Sequence, residues 1–211
     1  MVVLDRNTRQ QRFLTAAHVV GWLNPHRGDT NRVHTNDLGG TTLGSRYIGY
    51  SDRSCPDEAP EDAPAICCGV DAALVHPATD VTCVRDIGNG ICATGDYYDN
   101  PLDPALYELT VYKLGATSGF TSGVICEVGV QFTVDHGALR ITYPLGYHVM
   151  SNVDQATFAL PGDSGAIVLD GRGRAVGMLV AMQRTKGDPS ALAFVIPMAA
   201  LVQELIGPGW H

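Results

Sequence analysis

Along nearly the whole chain, apolar or alternating runs are short and are cut at close intervals by Gly, Asp, Asn and Pro, while helical spacing is absent until the end. A chain patterned in this way closes a core only by pairing many short strands, so an all-β barrel or sandwich is expected. Strands are predicted at Met1 to Asp5, Arg12 to Thr15, Gly44 to Tyr50, Ala72 to His76, Thr110 to Leu114, Gly123 to Val134, Leu139 to Tyr143 and His148 to Val153. They continue at Ala166 to Asp170, Ala175 to Met182 and Leu192 to Ile196. The run Pro197 to Ile206 has spacing suited to an amphipathic helix, with Pro in its first turn and Gly207 to end it. Two polar stretches, Asn24 to Gly39 and Ser51 to Ala65, read as long surface loops.

Near mid-chain, Thr94 to Pro104 (TGDYYDNPLDP) carries almost no apolar pattern and reads as a linker. The expected organisation is a first lobe over 1–95, a linker over 96–107 and a second lobe over 108–211. At 45% hydrophobic and 17% charged residues, the chain can bury a sizeable core. A formal charge of −8 argues against a nucleic-acid partner, whose phosphates need clustered Lys and Arg. No apolar run reaches the length of a membrane span. Six cysteines, at 55, 67, 68, 83, 92 and 126, show no zinc spacing, so neither a metal nor another cofactor is expected. Five of the six fall between 55 and 92, which fits either one or two disulfides there or a set of reduced thiols. The compartment and the oligomeric state are left open.

Acyl transfer by a serine needs a hydroxyl, a base for its proton and donors for the oxyanion. Gly162-Asp163-Ser164-Gly165, ahead of the apolar run AIVL, supplies a hydroxyl in a turn whose Gly162 and Ser164 amides can converge on one point. His18 follows the apolar run Phe13 to Ala17, and Asp71 heads the apolar run Ala72 to Val75. Taken singly, each has a plain structural reading: a tight turn, a strand-end histidine and a turn aspartate.

Taken together and in this order, TAAH, DAAL and GDSG resemble the trypsin-like, or chymotrypsin-fold, serine peptidases. That resemblance implies two six-stranded antiparallel β-barrels with a C-terminal helix, His18 and Asp71 in the first barrel and Ser164 in the second. It implies a catalytic triad of His18, Asp71 and Ser164, an oxyanion hole from the Gly162 and Ser164 amides, and a protein or peptide substrate. Tyr112 to Gly119 (YKLGATSG) is similar to the opening strand and turn of the family's second barrel and is expected as a structural landmark. The end of the chain looks more like the bacterial HtrA or Deg type than a digestive trypsin.

Counting along the family's pattern puts Phe158 at the floor of the primary specificity pocket and Ala181 and Met182 on its wall. Without an acid there, a small or apolar residue is expected before the cleaved bond. Three departures stand out. Val19 occupies the position where many secreted trypsins have cysteine. No Ile-Val-Gly-Gly start is present to insert beside Asp163, which must find another partner. Only a short run precedes His18, which predicts an incomplete first barrel and keeps a catalytically inactive binding or scaffold domain as the alternative. An α/β-hydrolase-type esterase is disfavoured, because GxSxG is absent at Ser164 and the triad order differs.

Overall fold

The computed structural model describes residues 2–4, 11–16, 32–36, 45–55, 66–67, 71–77, 85–136, 139–152, 157–183 and 191–203. In the N-terminal part, β1 (Val2–Leu4), β2 (Gln11–Thr15), β3 (Arg32–Asn36), β4 (Ser45–Cys55) and β6 (Ala72–Pro77) form an antiparallel sheet in the order β1-β2-β6-β4-β3. β5 (Ile66–Cys67) belongs to the other sheet.

That second sheet holds β7 (Thr110–Gly115), β8 (Gly119–His136), β9 (Leu139–Ser151), β10 (Ile167–Asp170), β11 (Ala175–Gln183) and β12 (Leu192–Pro197). Neighbouring strands run antiparallel, β10 pairs with β7 and β12 returns to β9, so these six close into a ring. β5 adds to β9 in parallel, outside the ring.

Period-two alternation divides the side chains of β12 between two cores. Ala193 and Val195 join Val111, Ile125, Tyr147, Val149, Phe158 and Leu179 in one buried cluster. Phe194 and Ile196 join a second cluster in which Leu14, Ala16 and Ala72 of the N-terminal sheet meet Ile141, Tyr143, Met178 and Val180 of the ring. The second cluster therefore lies between the two sheets.

Several expectations are corrected. The predicted loop Asn24 to Gly39 contains β3, and the predicted loop from Ser51 is strand as far as Cys55, with a register shift between Ser51 and Arg53. The polar residues there pair main chain to main chain without an apolar pattern to announce it. Leu139 to Tyr143 and the start of the predicted strand from His148 belong to one strand, β9, which runs through Pro144 and Gly146 to Ser151; Val153 lies outside the described residues. A helix, α1, is described over Met198–Leu201; the last residues of the predicted helix lie outside the described residues.

The stretch Thr94 to Pro104 is bound to the ring rather than bare. Tyr98 N donates to Ala175 O at 3.1 Å and Ala175 N to Asp96 O at 2.7 Å. Buried Tyr98 also donates its hydroxyl to Asp170 at 3.1 Å, and the Arg174 guanidinium lies 4.3 Å over its ring while pairing with Asp170 at 2.8 Å. A short 3-10 helix, Pro104–Leu106, follows, capped by Asp103.

Candidate active site

Ser164 lies in the turn that enters β10. Gly162 takes φ +99°, a conformation in which a side chain is strained, and this lets the chain reverse directly before the serine. Asp163 fixes the turn from inside. Its Oδ1 accepts from the Thr117 and Ser118 amides at 2.8 and 3.1 Å. Its Oδ2 accepts from Lys113 Nζ at 3.1 Å, Ser118 Oγ at 2.6 Å and the Leu160 amide at 2.9 Å. Thr117 Oγ1 adds a bond to Pro161 O at 2.9 Å.

Burial by itself would raise the Asp163 pKa, but the bonds from Ser118 Oγ and from the Leu160, Thr117 and Ser118 amides outweigh it and hold the carboxyl at about 2. The Lys113 pKa is lowered as well, in its case by burial, which outweighs the pull of Asp163. The segment Tyr112 to Gly119, expected only as a landmark, thus supplies the partner that Asp163 was missing. Lys113, Thr117 and Ser118 are the site residues that sequence reasoning overlooked.

The Ser164 hydroxyl donates to Val180 O on β11 at 3.0 Å, and the next amide, Gly165 N, donates to Leu179 O at 2.8 Å. Among the described residues, no hydrogen bond takes up the Gly162 or Ser164 amide. An oxyanion hole would need both amides without such a partner and beside the hydroxyl.

The end of β2 also lies against this turn. A Cβ placed on Gly165, where φ is +89°, would collide with Thr15 Oγ1 and stand 2.9 Å from Ala16 N. The serine turn and the strand that leads to His18 thus touch through a residue with no side chain. His18 itself lies outside the described residues. Asp71 is fully buried at the head of β6, two residues before Ala73, which pairs with Thr15. Ala72, Ala16 and Val180, whose carbonyl holds the Ser164 hydroxyl, share one cluster. The structure brings together Ser164, the approach to His18 and the strand headed by Asp71.

Of the expected pocket residues, Phe158 is fully enclosed, with Lys113 Nζ 5.4 Å over its ring. Ala181 and Met182 are partly exposed on β11 and pair with Phe194 and Ala193 of β12. Among the described residues no helix is long and apolar enough to cross a membrane. Cys92 is an exposed free thiol, and the half-buried Cys126 thiol donates to His148 O at 3.4 Å.

No protein-family model and no curated protein matches the chain. Solved structures do. Nocardiopsis protease superposes with a TM-score of 0.57 at 17% identity, over 96% of this chain and 86% of that one. Thermobifida fusca protease A gives 0.55 at 20% identity, over 96% and 84%. An alpha-lytic protease homolog gives 0.53 at 17% identity, over 96% and 87%. The chain has the fold of the chymotrypsin-like serine proteases, and its described residues are mostly β-strand, with one short α-helix and one 3-10 helix among them.

Proposed function

We propose that this chain is a serine endopeptidase with a triad of Ser164, His18 and Asp71, built across lobes 1–95 and 108–211 that are joined by 96–107. One observation carries the reading furthest: the Ser164 turn is locked by Asp163, leaves the Gly162 and Ser164 amides without an acceptor among the described residues, and abuts Thr15 and Ala16, directly ahead of His18. A turn that served only to join two strands would not need five donors on one carboxylate. The similar structures named above are proteases, which supports the same chemistry for this chain.

In the proposed reaction, the Ser164 hydroxyl turns from the Val180 carbonyl toward His18, which takes the proton as Oγ attacks the scissile carbonyl. Asp71 holds the His18 ring in the tautomer that accepts the proton and stabilises the imidazolium that forms. The Gly162 and Ser164 amides receive the oxyanion. His18 then protonates the leaving amine, and water releases the acyl group from Ser164 by the reverse sequence of proton transfers. Ala181 and Met182, above the enclosed Phe158, line the pocket for a small or apolar side chain before the cleaved bond. The end of the chain, from Gly162 into α1, is read as of the HtrA or Deg type.

A fluorophosphonate probe tests this directly. Wild-type protein should be labelled, and Ser164→Ala and His18→Ala should not. Folded wild-type protein that stays unlabelled would favour the inactive scaffold instead.

A further inference from the structure

The two residues of β5 pair with β9 in parallel at Ile66↔Ile141 and Cys67↔Thr142, whereas the other pairings between named strands among the described residues are antiparallel. β5 precedes Asp71 by only a few residues, and β6 follows Asp71 at once. β6 belongs to the other sheet, where Ala72 pairs with Cys55 and Ala73 with Thr15. Asp71 therefore sits between two clamps, one on the ring that carries Ser164 and one on the sheet that leads to His18. Ile141, at the first clamp, is fully buried in the cluster that also holds Ala72, Ala16 and Val180.

We propose that the pairing of Ile66–Cys67 with Ile141–Thr142 is a positioning strap that holds Asp71 in register with Ser164. This rests on the triad reading above. Three residues separate Cys67 from Asp71, a reach of at most about 14 Å between their Cα atoms even when fully extended. With the strap in place, the strand end that carries Asp71 is tied down on both sides. Without it, the strand end at Asp71 loses one of its main-chain anchors, and strand ends open at far lower free energy than strand centres. A triad tolerates little of this, since a displacement of about 1 Å can lower the rate about a hundredfold.

The test uses two proline variants, Ile66→Pro and Cys67→Pro. Successive amides of a strand point to opposite sides, so only one of the two faces β9 and proline removes that donor in one variant alone. The rate of fluorophosphonate labelling is measured for each, alone and combined with Asp71→Asn, with thermal unfolding as a check on folding. The expected result is that one variant labels about ten- to a hundredfold more slowly at nearly unchanged Tm, the other close to wild type. In the Asp71→Asn background the slow variant should add little, because both changes remove the same positioning. Equal, wild-type rates for both prolines would overturn the strap, as would a loss that multiplies fully with Asp71→Asn. Wild-type protein that does not label at all would instead sink the triad reading, and the strap with it.

Discussion

Lys113 Nζ and Asp163 Oδ2 form an ion pair 3.1 Å long, with both side chains fully shielded from solvent. A buried pair of this kind gains little over an apolar pair of the same size, but removing one partner strands the other charge. Lys113→Met should therefore cost about 3–5 kcal/mol in denaturant unfolding and lower Ser164 labelling by loosening the turn. Adding Asp163→Asn to Lys113→Met should restore part of the stability, because no charge is then left buried. A double variant no more stable than Lys113→Met would argue against this account.

The pH dependence follows from the same pair. Asp163 has its folded pKa lowered to about 2, so its contribution is present above its ordinary value of 3.8 and is lost as pH falls through that interval. Stability measured at pH 5 and at pH 2 should differ by roughly 2 kcal/mol more in wild type than in Asp163→Asn. At the alkaline end, burial lowers the Lys113 pKa below its ordinary 10.5, so its charge disappears earlier than that of a surface lysine. Labelling should fall along that limb in wild type, and the limb should be missing in Lys113→Met.

Much of this could be read from residues, and the gaps have physical reasons. Thr110 to Leu114, whose burial alternates, and the short apolar run Leu192 to Ile196 stand as strands where expected. β3 and the far half of β4 do not announce themselves, because their polar residues gain from main-chain pairing rather than from an apolar face. The partner of Asp163 was visible in principle: Lys113 shares its strand face with Val111, and a lysine on a buried face calls for a carboxylate. What a single sequence does not display is which of the buried carboxylates answers it, since Asp163 is fifty positions away.

Contact at Gly165 gives a sharp test of how the two sheets meet at the site. Gly165→Ala places a methyl group against Thr15 Oγ1 and strains a residue at φ +89°. Labelling of Ser164 should fall about a hundredfold, the scale expected when an active-site group moves by about 1 Å. Combining it with Thr15→Gly should recover part of the rate; no recovery would locate the damage in the turn alone.

Specificity is checked with a library of peptide substrates. Ala, Val or Leu before the cleaved bond should be preferred, since the residues assigned to the pocket, Phe158, Ala181 and Met182, offer no charge to pair with an Arg or Lys. Efficient cleavage after Arg or Lys, with the apolar peptides ignored, would refute the pocket assignment.

The segment around Tyr98 gives the molecule an uneven seam. Tyr98, Asp96 and Thr94 are bound to Ala175, Gly173 and Asp170 of the ring, so this stretch travels with the C-terminal half of the chain. Anyone cutting the gene into halves should keep these residues with the ring: a fragment that starts at 108 would expose the β10–β11 turn and leave Asp170 and Arg174 without their aromatic lid, whereas one that starts ahead of residue 94 carries its own cover.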